Sequence, residues 1–398
     1  MTGYVTIPAE ELALRAKKVQ VGLQRDGIDL ALIVQSVDLY YLTGTIQQGH
    51  LLLPARGEPL FLVRRNLERA RAESALERIE PMMGLGDLPR ALEQLGIPMS
   101  GKLGLELDVL PVSLFRRYEG TFPQAVLMDC SPAIRQARTV KTALEVEFIR
   151  QAGWQVDHIY REAARILKAG MSEIEVAAEL EAVARKAGHH GIVRFRAFNQ
   201  ELYHGHLISG PDSSVGSHVD TPLAGRGLTP AVAQGAGWRV IKRDEPVVMD
   251  LSGGVNGYLS DQTRVFVVGS LAPEMEEAYR VCRLIQDEVV QHLFPGASCG
   301  ELHRMAVDLA DRLGYGDAFM GAAPNQVSFV GHGVGLEIDE PPYIARGSGQ
   351  VLMEGTVVAL EPKLVFPGVG AVGVENTWLV KESRPERLTF TTEEIIAV

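Results

Sequence analysis

The sequence predicts two domains: an α/β domain, followed by a domain in which a unit of two helices and a β-hairpin occurs twice. The chain has 398 residues, which is enough for two domains. Up to about residue 135, short apolar runs alternate with helical segments, whereas the later part carries long amphipathic helices and glycine-rich hairpins. We therefore expect domains at residues 1–137 and 138–398.

The composition is typical of a globular protein from a reducing compartment. Met1–Arg15 lacks the pattern of a secretory signal, and no apolar run is long enough to cross a membrane. The three cysteines are scattered and odd in number, which argues against a disulfide framework. A formal net charge of -11 disfavours nucleic acid as the main partner. These features predict a cytoplasmic protein without nucleic-acid or membrane partners.

The first domain is expected to contain five short strands with helices between them. The helical segments lie at Asn66–Leu76 and Val112–Tyr118. No phosphate-loop pattern accompanies them. The predicted strands are Leu30–Val34, Leu51–Leu53, Leu60–Val63, Leu103–Leu107 and Ala125–Met128.

The second domain carries an internal duplication. Thr142 opens a long amphipathic helix with a capping-box pattern, and the same pattern at Ser172–Glu175 opens a shorter helix. An offset of 126 residues places Ser172–Glu175 on Ser298–Glu301 and Gly188 on Gly314. A repeated offset indicates two copies of one structural unit.

The first copy ends in a hairpin that carries two acidic residues. Asp250 and Asp261 lie on opposite arms of a turn-forming segment, Ser252–Gly257. With a two-residue loop at Val255-Asn256 or at Asn256-Gly257, both carboxylates point to the same face because side chains alternate with a period of two.

The second copy carries two glutamates on the corresponding hairpin. Glu361 and Glu375 share a face only if the loop has an odd number of residues. A three-residue loop at Pro367–Val369, which pairs Phe366 with Gly370, satisfies this condition. Each half therefore aims two carboxylates at one inner face.

Solvated acids on exposed strands are the ordinary alternative to this interpretation. Against it, Asp250 ends the apolar run Val247–Met249, and Glu361 ends the run Val357–Leu360. Acids at the ends of buried strands need partners, since several like charges there raise their pKa values or attract cations, and four converging carboxylates would be balanced by two divalent ions. His332 lies among three glycines at a predicted strand end; taken alone, such a histidine is more often a core residue.

Together these residues resemble a known family of peptidases. Asp250–Gly253 and Tyr258–Arg264 resemble its Asp-x-Gly and Tyr-x-Ser-Asp-x-Thr-Arg motifs. Gly331–Glu337 resembles its His-Gly-x-Gly-Leu motif. Glu361-Pro362 and Val374–Asn376 resemble its Glu-Pro-Gly and Ile-Glu-Asp motifs. The family is that of aminopeptidase P, prolidase, methionine aminopeptidase and creatinase.

The resemblance implies an α+β pita-bread catalytic domain, built from two halves related by a pseudo-twofold axis. The similarity covers about residues 140–398, and Tyr41–Gly44 resembles a string common in the smaller α/β creatinase-like domain that precedes the catalytic domain. By the same resemblance we expect a homodimer.

The resemblance also implies a pair of divalent ions and a role for each ligand. Asp250 would bind one ion, His332 and Glu361 the other, and Asp261 and Glu375 would bridge them. A hydroxide between the ions would be the nucleophile, and Glu361 would shuttle protons. This oxygen-rich set suits manganese best, with cobalt, iron and zinc as alternatives.

A further histidine is expected to contact the substrate. His218 resembles the upstream histidine with which the family binds the substrate or the reaction intermediate, and His204 and His206 compete for this role. The segment of about residues 219–240 after His218 resembles an insertion.

Three positions depart from the family pattern and concern the substrate. Asp339 replaces a second histidine that usually assists catalysis. Lys363 replaces the glycine of Glu-Pro-Gly, and Gly373 replaces the arginine that usually precedes Ile-Glu. We expect Asp339 and Lys363 to contact substrate, with charge balance as the alternative role of Lys363.

The preferred function is therefore a peptidase of the Xaa-Pro aminopeptidase or dipeptidase type, acting on small peptides. A metal-dependent hydrolase or lyase of a small non-peptide metabolite on the same scaffold is the second possibility. A non-catalytic binding protein of this fold is the third, although all five metal ligands are present.

Overall fold

The structure, a computed structural model, describes residues 5–398 and divides into two compact units. The division falls between Arg138 and Thr139, one residue from the boundary expected from the sequence. Within the described residues, no helix combines the length and the apolar character that crossing a membrane requires.

The first unit is a six-stranded mixed sheet with helices, as the alternating pattern predicts. Strand β1 lies in the middle, antiparallel to β2 and parallel to β5, and the order is β4-β3-β2-β1-β5-β6. The strands are β1 Leu30–Ile33, β2 Gly49–Pro54, β3 Leu60–Val63, β4 Ile79–Pro81, β5 Lys102–Leu105 and β6 Val126–Asp129. The helices are α1 Ala9–Arg25, α2 Ser36–Thr43, α3 Leu67–Glu73, α4 Leu88–Gln94, α5 Val112–Thr121 and α6 Ser131–Thr139.

The second unit contains two long helix pairs and three sheets. The helices are α7 Ala143–Ile166, α8 Glu173–Lys186, α9 Pro273–Val290 and α10 Cys299–Arg312. The strands are β7 Gly205–Ser209, β8 Val247–Val255, β9 Tyr258–Val267, β10 Phe329–Gly333, β11 Glu340–Ala345, β12 Val357–Leu360, β13 Lys363–Phe366, β14 Gly370–Gly373, β15 Asn376–Leu379, β16 Glu386–Arg387 and β17 Ile396–Ala397. The sheet orders are β17-β9-β8-β7, β11-β10-β12-β15-β16 and β13-β14.

The two helix pairs repeat each other as the sequence offset predicts. Helices α8 and α10 begin and end 126 residues apart. Reciprocal capping boxes open α7 at Thr142 and α8 at Ser172. At α10 only half of the box forms: Ser298 accepts a hydrogen bond from the backbone of Glu301, whose carboxylate lies 3.4 Å from Arg304 instead.

The first acidic hairpin has the two-residue loop that places the side chains of Asp250 and Asp261 on the same face. A two-residue turn, Asn256-Gly257, joins β8 to β9, and both residues have positive φ, as in a type I′ turn. Asp250 pairs with Thr263, and Asp261 lies two residues before Thr263 on β9. The side chains of Asp250 and Asp261 therefore point to the same face of the sheet.

The second acidic hairpin is broken in the middle, which the sequence reading did not anticipate. Phe366 pairs with Gly370 across the predicted three-residue loop, but the ladder stops at Lys363 and resumes between β12 and β15. Pro362, which has no N–H to donate, lies at the break. The register is the same on both sides, so Glu361 and Glu375 stand opposite each other within the break.

Helix α7 packs closely against the chain at Leu388 through a glycine. A Cβ placed on Gly153 would fall on the backbone carbonyl oxygen of Leu388, which cannot move as a side chain could. The close approach of helix and chain at this point therefore depends on Gly153.

We expect Gly153→Ala to lower the free energy of unfolding of the second unit by roughly 1–3 kcal/mol, the usual cost of overpacking. Denaturant unfolding of the intact chain measures this loss. Gly120→Ala is the matched control, because its added methyl group lies in open space on an exposed helix and favours the helical state. Equal stabilities of the two variants would contradict the packing argument.

Candidate metal centre

The structure brings the five predicted metal ligands together in the second unit. Their ligand atoms form two overlapping groups, in each of which all atoms lie within 4.8 Å of one another. The first group comprises Asp261, His332 and Glu375, and the second comprises Asp250, Glu361 and Glu375. Both duplicated halves thus contribute, and Glu375 belongs to both groups.

The ring of His332 is oriented so that one nitrogen faces the acids. Its Nδ1 lies 3.2 Å from the carbonyl oxygen of Gly333, which accepts a hydrogen bond from it. The other nitrogen, Nε2, lies 3.4 Å from Glu361 and 3.9 Å from Asp261. A backbone acceptor at Nδ1 fixes the tautomer that presents Nε2 to a metal ion.

The two carboxylate oxygens of Glu375 differ in their hydrogen bonding. Its Oε2 accepts a hydrogen bond of 2.7 Å from the Thr263 hydroxyl and lies 3.2 Å from the ammonium of Lys363. Its Oε1 is buried and has no hydrogen-bond partner among the described residues. Because a buried, unpaired carboxylate oxygen is costly, this atom fits a cation held by the first group.

Lys363 lies inside the acidic cluster. Its ammonium nitrogen is 2.8 Å from Asp250, 2.5 Å from Glu361 and 3.2 Å from Glu375, and its side chain is fully buried. This arrangement favours the alternative role of Lys363 over the expected contact with substrate, because three carboxylates already surround the ammonium. The alternative role, charge balance, agrees with the geometry.

The pKa values of the acids show that one ammonium does not balance the cluster. Burial opposes ionisation of Glu361, but the charge of Lys363 and the hydrogen bond from His332 outweigh it and lower the pKa of Glu361 to about 2. Burial and the charge of Asp250 raise the pKa of Asp261 to about 7, and burial with Asp261 raises the pKa of Glu375 well above its usual range. Additional positive charge would relieve both.

Hydrogen bonds made by Thr263, Arg264 and Thr377 hold the two hairpins together. Arg264 is fully buried and donates to the carbonyl oxygen of Glu375 at 2.7 Å. The Thr377 hydroxyl accepts from the backbone N–H of Asp261 and donates to its carbonyl oxygen. Sequence reasoning assigned no role to Thr263, Arg264 or Thr377, although Thr263 and Arg264 lie in the quoted motif.

A cavity opens above the acids, and of the three histidines considered for contact with substrate only His206 is among its described lining residues. His206 lines it and pairs with Asp250 across β7 and β8. His218 is exposed, bonded to Ser217 at 3.2 Å, and lies outside the lining, although its neighbours Val219–Thr221 belong to it. The expected substrate role of His218 therefore fits His206 better, whereas His204 is buried outside the lining. Asp339 lines the cavity, as expected of a substrate contact.

Comparisons with known proteins match both units. The family model described as metallopeptidase family M24 matches residues 147–382, and that of the creatinase/prolidase N-terminal domain matches residues 15–140. An Xaa-Pro dipeptidase of Pyrococcus furiosus is 28% identical over 384 residues, covering 96% of this chain and 99% of the relative.

Solved structures agree with this relationship. An Xaa-Pro dipeptidase of Bacillus anthracis superposes with a TM-score of 0.83 at 25% identity, covering 97% of this chain and all of the other. The prolidase of Pyrococcus horikoshii OT3 gives a TM-score of 0.78 at 28% identity, covering 96% and 99%. These matches confirm the expected pita-bread fold and its creatinase-like amino-terminal domain.

We expect His332→Ala to weaken the binding of a divalent ion by about 100-fold or more, because even indirect supports of a metal site cost 10–100-fold when they are lost. Calorimetric titration of the metal-free protein with Mn²⁺ measures the change. His292→Ala is the control, since His292 is exposed just after the end of α9, belongs to neither ligand group, and its Nδ1 lies 2.9 Å from the Glu288 carbonyl oxygen. Unchanged affinity in His332→Ala would remove His332 from the site.

Proposed function

The chain belongs to metallopeptidase family M24, and we propose that it cleaves the Xaa-Pro bond of dipeptides or short peptides. The observation that carries this proposal is the convergence of His332 and four carboxylates beneath one cavity. Relatives named Xaa-Pro dipeptidase or prolidase match nearly the whole chain, which supports proline-directed cleavage.

Each residue has a part that its position allows. A divalent ion bound by the acids and His332 would supply Lewis-acid activation of the scissile carbonyl and of water. Glu361 lines the cavity and is held ionised, so its carboxylate accepts a proton from the attacking water and returns it to the leaving nitrogen. His206 is buried beside Asp250, and burial lowers its pKa, so a neutral ring faces the substrate.

The charge of the cavity favours a substrate with a free amino group. Glu201, Asp220 and Asp339 line it in addition to the metal-ligand acids, and none of the described lining residues is a lysine or an arginine. A substrate ammonium is attracted to such a lining. This supports cleavage next to the amino terminus.

The identity of the ion, the oligomeric state and the location of the protein are further parts of the proposal. Manganese is the favoured ion, because four of the five ligands offer carboxylate oxygen. A homodimer and a cytoplasmic location accompany it, on the resemblance and on the three free cysteines, all of which are buried.

A metal-dependent hydrolase of a small metabolite is the second candidate. The observation that favours it is Asp339, which lines the cavity at the place where the resemblance implies a histidine. Asp339 changes a substrate contact, whereas all five metal ligands are kept. We expect this combination in an enzyme that has a different substrate but the same metal chemistry.

We expect the Mn²⁺-loaded protein to hydrolyse Xaa-Pro dipeptides at least about tenfold faster than Xaa-Ala dipeptides, because the apolar side chains of Phe195, Phe329 and Ile338 line the cavity and each methylene group of fit to such side chains is worth about tenfold or more. Release of free amino acids measures the rates, and tripeptides of the form Xaa-Pro-Xaa distinguish an aminopeptidase from a dipeptidase. Removal of metal with EDTA should abolish the activity. A metal-loaded protein that cleaves none of these peptides would favour the second candidate.

We expect Asp220→Asn to raise KM for Xaa-Pro substrates by roughly 1.4- to fivefold with little change in kcat, because an exposed charge contributes about 0.2–1 kcal/mol. Steady-state kinetics on the preferred peptide measure both constants. Asp308→Asn removes an exposed acid from α10 and serves as the control. An unchanged KM in Asp220→Asn would argue against attraction of the substrate ammonium by this residue.

A further inference from the structure

We propose that the ammonium of Lys363 occupies the place of one of the two metal ions, so that this chain binds a single divalent ion between Asp261, His332 and Glu375. This inference goes beyond the proposed function, since it concerns the composition of the centre and not its substrate. Three observations on the described residues carry it.

The first observation is the position of the ammonium. The second ligand group comprises Asp250, Glu361 and Glu375, and Lys363 contacts all three at 2.5–3.2 Å. A divalent ion held by the same three acids would lie at about 2.0–2.2 Å from their oxygens. The two cations would therefore compete for one place among the same atoms, where they also repel each other.

The second observation is that burial and packing hold the Lys363 side chain at the acids. The residue is fully buried on β13, and within residues 5–398 its ammonium is bonded to these three acids alone. Its stem lies against Gly373, its direct partner across β13 and β14, and a Cβ on Gly373 would overlap Cγ of Lys363. The missing side chain at position 373 thus provides the space that the lysine stem fills.

These two positions are the ones at which the sequence departs from the family pattern next to the ligands. The resemblance implies glycine after Glu361-Pro362 and arginine before Val374-Glu375, whereas this chain has Lys363 and Gly373. The two departures face each other across one ladder. Compared with the family pattern, the cation is absent at position 373 and present at position 363, from which it reaches the acids.

The third observation is that the first group stays available to an ion. The contacts of Lys363 reach neither Asp261 nor His332. Glu375 uses Oε2 for Lys363, its buried Oε1 has no hydrogen-bond partner within residues 5–398, and His332 presents Nε2. One carboxylate, the partner-free oxygen of another and an imidazole nitrogen form a ligand set of the kind that holds a single ion with further positions open.

The rival arrangement keeps two ions and gives Lys363 the position of a supporting cation beside them. Counting bound ions separates the two arrangements. Metal-free protein is dialysed against excess Mn²⁺, and the metal-to-protein ratio is measured by inductively coupled plasma mass spectrometry. Anomalous diffraction from Mn²⁺-soaked crystals then locates each ion.

We expect one ion per chain in the wild-type protein, with one anomalous peak bounded by Asp261, His332 and Glu375. Lys363→Gly frees the second group and restores the family glycine, so we expect two ions per chain and a second peak. Lys381→Met is the matched control: Lys381 also pairs with a glutamate, Glu386 at 3.2 Å, but at the surface, so its removal should leave one ion.

Two ions in the wild-type protein, or no ion at all, would overturn the proposal. A folded Lys363→Gly variant that still binds one ion would also overturn it, and circular dichroism verifies the fold. If that variant does not fold, the wild-type count and the anomalous map decide by themselves. Peptide cleavage by a protein with two ions would refute only this inference, whereas one ion without peptide cleavage would refute only the proposed function.

Discussion

Four carboxylates, two of them buried and two nearly so, lie within a few ångströms of one another and are the constraint on which the second unit depends. Such a cluster is unstable without cations, because each charge loses its hydration and repels the others. Asp250, Asp261, Glu361 and Glu375 remain together because two hairpins hold their backbones in place and because Lys363 supplies the first positive charge. The raised pKa values of Asp261 and Glu375 show that this charge is not enough. Binding of a metal ion would therefore stabilise the folded state of this unit.

The duplication brings these acids together with little freedom in their spacing. Each half ends in a hairpin, and buried hydrogen bonds between the hairpins, from Arg264 to the carbonyl oxygen of Glu375 and from the Thr377 hydroxyl to that of Asp261, hold one against the other. Tyr160 on α7 adds hydrogen bonds to the carbonyl oxygens of Met249 and Gln262, one on each strand of the first hairpin. Ligands from distant parts of the chain thus behave as parts of one rigid frame, which suits a site whose function needs fixed distances.

Much of this could be predicted from the sequence, because it follows from short-range rules. The shared face of Asp250 and Asp261 depends only on a period of two and a tight turn, and the 126-residue offset depends only on repeated caps. The break at Pro362 was not predicted, because a glycine-rich hairpin looks the same whether or not its ladder is continuous. The choice between His206 and His218 depends on the pairing of β7 with β8, which no local pattern indicates. The direction of Lys363 depends on the empty space over Gly373, on another strand.

The contact between Lys363 and Gly373 restricts the routes by which this sequence could arise from an ancestor with the family pattern. A lysine at position 363 requires a residue without a side chain opposite, because even one methyl group there would strike the lysine stem. Loss of the arginine must therefore come before the gain of the lysine, or together with it. Surviving intermediates would carry glycine at both positions, and descendants with a bulky residue at 373 should be missing wherever lysine follows Glu-Pro.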